Sequence, residues 1–334
     1  MRAIRLHAFG PAENLVLEEV ADPEPGPGQL RIAVEAAGVH LLDTAIRSGV
    51  PGPLPELPAL PTVPGREVAG IVDAVGPGTD PAWLGRRAVT HLGFAPGGYA
   101  ELTVVDADRP HEIPAGLDAA AAVAMIGTGR TVMGIVQFTD LDADSVVLVP
   151  AAAGGIGTLL VQYAKNAGAT VVGLAGGPEK VALVEADGAD LAVDYRQPDW
   201  PGKVRAHLGG RGATVVFDGV GGAAGRAAVE LLGRDGTHVV FGWSSQGLTG
   251  ADEHRLDATE LARRGLTTAE VLGPPMLARA GGERPIRALE LRALAEAAAG
   301  RLRPRVQRFP LAEAASAHAA LEGRGTVGKV VLEP

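Results

Sequence analysis

The chain has 334 residues, enough for two domains, and 46% of them are hydrophobic, enough for large cores. A formal net charge of −9 argues against nucleic acid and anionic membrane surfaces as partners. The absence of cysteine excludes disulfides and cysteine-based zinc, iron–sulfur or thiol chemistry.

The chain starts at Met1 without a signal-peptide pattern; residues 1–9 alternate like a strand. No apolar run reads as long enough to span a bilayer, so a soluble cytoplasmic protein is expected. Strands are predicted at 2–6, 15–20, 29–37 and 67–75, separated by Pro/Gly clusters such as 23–28. Six prolines between Val50 and Pro64 make that stretch a long irregular loop. This is the pattern of a compact, mostly antiparallel β domain. From about residue 122 the pattern changes. Residues 119–138 have helical period, with a break expected at Gly127, Thr128 and Gly129. Apolar strands at 145–149, 169–174, 191–194, 214–218, 237–242 and 266–271 then alternate with helices at 155–167, 178–187 and 222–232. That alternation predicts an α/β fold with a doubly wound parallel sheet. A helix at 285–299, a strand at 306–309, a helix at 311–321 and a strand at 329–332 close the chain. This tail is expected to return to the first domain. The expected division is 1–121 with 278–334 as one domain and 122–277 as the other.

Residues 145–168 carry the main chemical signal. A short valine-rich strand leads into small residues through Ala153, then Gly154, Gly155, Ile156 and Gly157, then an amphipathic helix. A turn without side chains lets a pyrophosphate approach the N–H groups of a helix N-terminus, which points to a dinucleotide site. NAD sites place an acid at the end of the second strand to bind the ribose hydroxyls. Here that place holds Ala175, Gly176, Gly177 and Pro178, with Lys180 close behind. Small residues leave room for a 2′-phosphate and a lysine neutralises it, so NADPH is expected over NADH.

Several motifs in one order, covering nearly the whole chain, resemble the medium-chain dehydrogenase/reductase superfamily in its zinc-free quinone oxidoreductase branch. They are GVHLLDTAIRSG (38–49), PTVPGREVAGIV (61–72), GGYAE (97–101), GRTV (129–132), AAAGGIG (151–157), VVFDGVGG (215–222) and GTVGKVVLEP (325–334). The resemblance implies a GroES-like β-rich catalytic domain beside the Rossmann sheet. It implies that Ala153, Gly154, Gly155, Ile156 and Gly157 line the pyrophosphate, and that Gly176, Lys180 and Tyr195 surround the 2′-phosphate. One contact there is missing, because relatives often carry serine at the position of Gly177. It further implies that Asp218, Val220, Phe241 and Gly242 end strands beside the cofactor, that Thr131 lies near the nicotinamide, and that Lys329 belongs to the cofactor set. His40, Asp43 and Arg47 fall in the active-site segment.

Two departures matter. Zinc relatives have cysteine at the position of His40 and histidine at that of Arg66, so His40 and Glu67 alone survive as candidate ligands and no metal is expected. The quinone oxidoreductase pattern has asparagine where His40 stands and often tyrosine where Ala45 stands. The resemblance places hydride delivery in a cleft between the domains. Without a Lewis acid the acceptor should be a quinone or a conjugated alkene, reduced to an anion that needs a proton or a dipole. His40 either donates that proton or only orients the nicotinamide. Asp43 and Arg47, four apart, are expected to pair and brace the segment. Arg66 either covers the cofactor phosphates or forms a bracing ion pair. His91 is expected to bond its loop, and His111, His207, His238, His254 and His318 show no pattern. The functional expectation is an NADPH-dependent, zinc-independent reductase of a quinone or another electron-poor conjugated acceptor. The alternatives are an enoyl or enone reductase of fatty-acid or polyketide-type metabolism and a non-catalytic NADPH-binding sensor or structural protein. Loops 40–60, 91–97 and 243–285 would shape the acceptor pocket. A homodimer joined along the apolar edge strand at 266–271 is expected.

Overall fold

The computed structural model describes residues 1–242, 244–245 and 256–334. In chain order it begins with β1 (Arg2–Leu6), β2 (Leu15–Glu19), β3 (Gln29–Val39), α1 (Leu41–Arg47), β4 (Glu67–Val75), β5 (Arg87–His91), β6 (Leu102–Asp106), β7 (His111–Glu112) and α2 (Ala119–Ala124). It continues with α3 (Arg130–Val136), β8 (Val146–Val149), α4 (Gly155–Asn166), β9 (Thr170–Ala175), α5 (Pro178–Ala186), β10 (Leu191–Asp194), α6 (Trp200–Leu208), β11 (Ala213–Asp218), α7 (Gly222–Val229) and β12 (Leu232–Val240). It ends with α8 (Ala258–Arg264), β13 (Thr267–Glu270), α9 (Pro274–Ala280), α10 (Pro285–Ala298), β14 (Val306–Pro310), α11 (Ala314–Glu322) and β15 (Lys329–Glu333). The chain packs as two compact units: Met1–Gly129 with Ala293–Ala298 and Pro304–Pro334, and Arg130–Arg292 with Ala299–Arg303.

The first unit is built on a sheet in the order β14-β15-β3-β4-β5-β7, with β6 also on β3. All its pairings are antiparallel except β14 with β15. Along β3, Leu30, Ile32 and Val34 alternate inward, and from Ala36 onward every residue is buried. The N-terminal part of β3 pairs with β6 and its end pairs with β15, at Ala37↔Leu332, Gly38↔Val331 and Val39↔Val330. The tail therefore returns to the first sheet, as its apolar strand predicted. Ile4, Leu30, Ile32, Val68, Tyr99 and Leu332 share one core.

The second unit holds six strands in the order β10-β9-β8-β11-β12-β13, all parallel. The strand order reverses between β8 and β11, the place where doubly wound sheets bind ligands at their carboxyl ends. β8 is buried at all four positions, as a central parallel strand should be. Helix α6 was not expected from the sequence. Pro201 stands in its first turn, where proline is compatible with a helix, and Trp200, Val204 and Leu208 bury its inner face.

Two expectations need correction. The helix at 119–138 is not broken at Gly127. Met125–Gly129 is a π-helical turn between α2 and α3, entirely buried. The stretch Ala119–Val136 is also long and apolar enough to cross a membrane, contrary to the reading of run lengths, but most of it is buried inside the fold.

Candidate functional site

In the second unit, the turn after β8 is fixed by backbone bonds. Ala152 N–H donates to Leu174 O at 2.9 Å and Gly154 N–H to Ala151 O at 2.9 Å. Ala151 adopts φ 52°, a conformation costly for a residue with a Cβ. A Cβ on Gly157 would strike the backbone of Ala151 and Ala152, so glycine is required there. Helix α4 opens at Gly154 with no side chain capping it, which leaves the N–H groups around Gly155, Ile156 and Gly157 for an anion. Ala153 is buried behind this turn.

The ends of β9 and β10 lie side by side, with Asp194 in register with Ala175. A Cβ on Gly176 would lie 2.9 Å from the Tyr195 hydroxyl, so the tyrosine roofs the glycine. Burial, and then the charge of Arg196, lower the Lys180 pKa. At the end of β11, Asp218 is buried and its Oδ1 accepts from Val220 N–H at 2.8 Å and Gly221 N–H at 2.9 Å. Its Oδ2 meets His238 Nε2 at 3.2 Å, so Asp218 braces the turn. The ring of Phe241 covers Gly219, and a Cβ on Gly242 would lie 2.9 Å from Gly219 O. Thr131 sits half-buried on α3.

The first unit has its own cluster. Glu67, at the start of β4, is fully buried. His40 Nε2 lies 2.5 Å from its Oε1 and Lys329 Nζ 2.9 Å from its Oε2. Lys329 Nζ is also 2.6 Å from His40 Nε2. His91 Nε2 lies 3.9 Å from Oε1. Burial alone would raise the Glu67 pKa, but the charges of His40 and Lys329 outweigh it and hold the carboxyl well below its usual range. Burial lowers the Lys329 pKa, with Glu67 opposing. The His40 side chain is 27% exposed and Lys329 4%, so histidine is the member of the cluster open to a ligand. Room for the carboxylate comes from two glycines. A Cβ on Gly127 would fall on the Glu67 carboxylate, and one on Gly38 would strike Glu67 and Val123. The π-helical turn therefore follows from the packing of Glu67. Sequence reading placed Lys329 with the cofactor residues and Glu67 only among candidate metal ligands; their pairing has no local signal.

Asp43 and Arg47 do not pair with each other. Asp43 Oδ1 accepts from Arg66 Nε at 3.1 Å, and its Oδ2 accepts from His40 N–H at 2.7 Å at the start of α1. Arg47 pairs with Glu322 on α11. Arg66 is thus part of a bracing ion pair. The Tyr99 hydroxyl donates to Asp43 Oδ2 at 3.4 Å and lies 3.1 Å from His318 Nε2. Burial pushes the His318 pKa down to about 4. His238 and His318 therefore have defined partners that the sequence did not reveal. His91 Nδ1 accepts from Gly93 N–H at 2.9 Å, the loop bond expected of it. His254 lies outside the described residues, as does part of the segment 243–285. Asp43, Arg47 and Arg66 also line a pocket with Ile46, Leu54, Pro58, Phe94 and Pro96.

Residues 26–115 match the alcohol dehydrogenase GroES-like domain and residues 155–275 the family described as zinc-binding dehydrogenase. The chain is 33% identical to a 2-haloacrylate reductase of Burkholderia sp. over 335 residues, 98% of each chain. It is 32% identical to quinone oxidoreductase 1 of Escherichia coli K12 over 342 residues, 99% of each. The crystal structure of Escherichia coli quinone oxidoreductase complexed with NADPH superposes with a TM-score of 0.83 at 29% identity, covering all of both chains. The second family description names zinc, which needs three protein ligands and an open position at a catalytic site. Around Glu67 the donor set does not fit it: Lys329 places an ammonium against both Glu67 and His40, and Arg66 is a cation held by Asp43. No group of three metal-ligating side chains is found among the described residues. The motifs, the two sheets and these similarities agree, and the chain belongs to the medium-chain dehydrogenase/reductase superfamily, in its quinone oxidoreductase branch.

Proposed function

We propose that the protein is an NADPH-dependent, zinc-independent reductase that transfers hydride to a quinone or another electron-poor conjugated acceptor. The observation that carries this reading is the ammonium of Lys329 against Glu67 and His40. That ammonium is buried and engaged by Glu67 and His40 where a metal would need those donors, so activation is assigned to the acceptor's own conjugation rather than to a Lewis-acid metal. NADPH, when bound, supplies the hydride. The second unit binds it: the turn from Ala153 to Gly157 holds the pyrophosphate, Gly176, Lys180 and Tyr195 the adenosine end, and Asp218, Val220, Phe241, Gly242 and Thr131 the nicotinamide half. The first unit carries the acceptor chemistry. Reduction leaves an enolate-like or quinol anion, and His40 gives it a proton. Glu67 and Lys329 hold the Nε2 side of the ring, which fixes its orientation. Asp43, Arg47 and Arg66 brace the segment that bears it.

The similarity to a 2-haloacrylate reductase supports a second reading, reduction of an activated alkene at the same site. The protein is taken to be cytoplasmic and dimeric along β13, an outer strand of its sheet. Thr267, Thr268 and Glu270 are exposed there, whereas Leu266 and Val271 are buried, so backbone pairing rather than an apolar face would join the copies. A monomer by light scattering at micromolar concentration would overturn the dimer.

NADPH and NADH oxidation, measured against a panel of quinones and of α,β-unsaturated aldehydes and ketones, tests the function. Turnover of a quinone with NADPH supports the first reading and turnover of enones alone the second. NADPH binding without turnover of any acceptor would overturn both and leave a sensor. His40→Asn is expected to slow turnover by about a hundredfold or more, the usual contribution of a positioned acid. Full turnover with an unchanged pH profile would remove His40 from the chemistry.

A further inference from the structure

We propose that Arg196 selects the phosphorylated dinucleotide: its guanidinium lies across Gly177, supplies the contact that this glycine lacks, and binds the adenosine 2′-phosphate together with Lys180. The inference rests on the dinucleotide site proposed above and adds a residue that the motifs did not mark.

The backbone brings the parts together. β9 and β10 are parallel neighbours with Ala175 opposite Asp194, so Gly176–Gly177 and Tyr195–Arg196 leave the same carboxyl edge side by side. Gly177 is buried with φ 100°, a conformation that favours glycine. A Cβ built there would lie 2.5 Å from Arg196 Nη2 and 3.2 Å from its Cζ. The guanidinium thus occupies the space that a side chain at 177 would need.

Asp194 holds the guanidinium in that place. Arg196 Nε donates to Asp194 Oδ1 at 3.0 Å and Nη2 to Oδ2 at 3.0 Å, a two-pronged contact. The Arg196 N–H also donates to Oδ1 at 3.0 Å. Both carboxylate oxygens are therefore engaged, and this acid is withdrawn from any bond to a ribose hydroxyl. The fork uses Nε and Nη2, the nitrogen nearest the built Cβ, and leaves Nη1, 3.5 Å from that Cβ, outside it. An arginine can serve a carboxylate with one edge and a phosphate with its remaining donors. Lys180 feels the positive charge of Arg196, and two like charges converging on one place are relieved by a dianion. The Arg196 side chain is 56% exposed, so it can be replaced without disturbing a core.

Calorimetric binding of 2′,5′-ADP and of 5′-ADP to the full chain tests the proposal, since the two probes differ in the 2′-phosphate. Arg196→Ala is expected to weaken 2′,5′-ADP by about tenfold to a hundredfold, as loss of a charge-assisted bond does, and to change 5′-ADP by less than about threefold. Arg196→Lys should fall between, and the salt dependence of 2′,5′-ADP binding should flatten in the alanine variant. Equal loss on both probes, or no loss on either, would overturn the role of Arg196. Failure of the unaltered protein to bind either probe would instead overturn the dinucleotide reading itself.

Discussion

Replacing Lys329 by methionine keeps most of the aliphatic volume and removes the charge. Glu67 is then fully buried with His40 Nε2 at 2.5 Å and His91 Nε2 at 3.9 Å as its nearest remaining basic neighbours. Removing one partner of a buried ion pair costs about 3–5 kcal/mol, because the remaining charge is uncompensated. The direct relief is for Glu67 itself to take up a proton, because Lys329 is one of the charges that hold its carboxyl well below the usual range. A depressed carboxylate pKa contributes stability that is present above the unfolded value and is lost as pH falls, so removing the ammonium removes that contribution at neutral pH and matters least in acid. Lys329→Met should therefore lie closest to the wild-type unfolding temperature at about pH 4, and show nearly the whole cost at about pH 7 and above. For a unit of this size that cost is a fall of roughly 6–20 °C in Tm. Adding Glu67→Gln removes the stranded carboxylate and should recover much of the loss and flatten its pH dependence. Thermal unfolding across this pH range checks both variants. A cost below about 1 kcal/mol at every pH, or a double variant less stable than Lys329→Met, would refute the argument that the ammonium neutralises Glu67.

Gly127→Ala should destabilise the first unit by about 1–3 kcal/mol, because the added methyl falls on the Glu67 carboxylate and forces it or the π-helical turn to move. A rise in Tm would mean that the glycine costs only helix propensity. His318 is buried and its pKa is lowered from 6.5 to about 4. Between those values the unfolded chain binds the proton and the folded chain does not, so stability falls as pH falls through that window, by up to about 1.4 kcal/mol per pH unit. His318→Gln should remove that slope in unfolding curves; an unchanged slope would place the acid sensitivity elsewhere.

Much of the architecture was legible because its signals are local. The valines of β8, the glycines of the following turn and the return strand at Lys329 follow from burial periodicity and from the need for close approach to a helix end. Charge pairing was not legible. Asp43 and Arg47 stand at helical spacing, yet each is drawn to a partner outside that helix, 23 positions away for Asp43 and 275 for Arg47. Gly127 and Gly129 read as a helix break because the sequence displays flexibility and hides the neighbour that demands it. The side chain pressing on Gly127 belongs to Glu67, on another element. Arg196 was missed for a similar reason. It follows Tyr195 as an ordinary polar residue, and only the alignment of β9 with β10 sets it against Gly177.

The connectivity of the first unit has a consequence for its birth on the ribosome. Glu67 emerges early, but the ammonium that neutralises it is on β15, and β15 is also the strand that lies against Gly38 and Val39 at the end of β3. Nearly all of the second unit comes from the uninterrupted stretch Arg130–Arg292, which is made before β14 and β15. The inserted unit can therefore mature while the one that encloses it still has an open strand edge and an unmatched internal charge. β15 then acts as a latch: vectorial synthesis delivers the later-encoded unit first and leaves the earlier-encoded one dependent on a strand made after it.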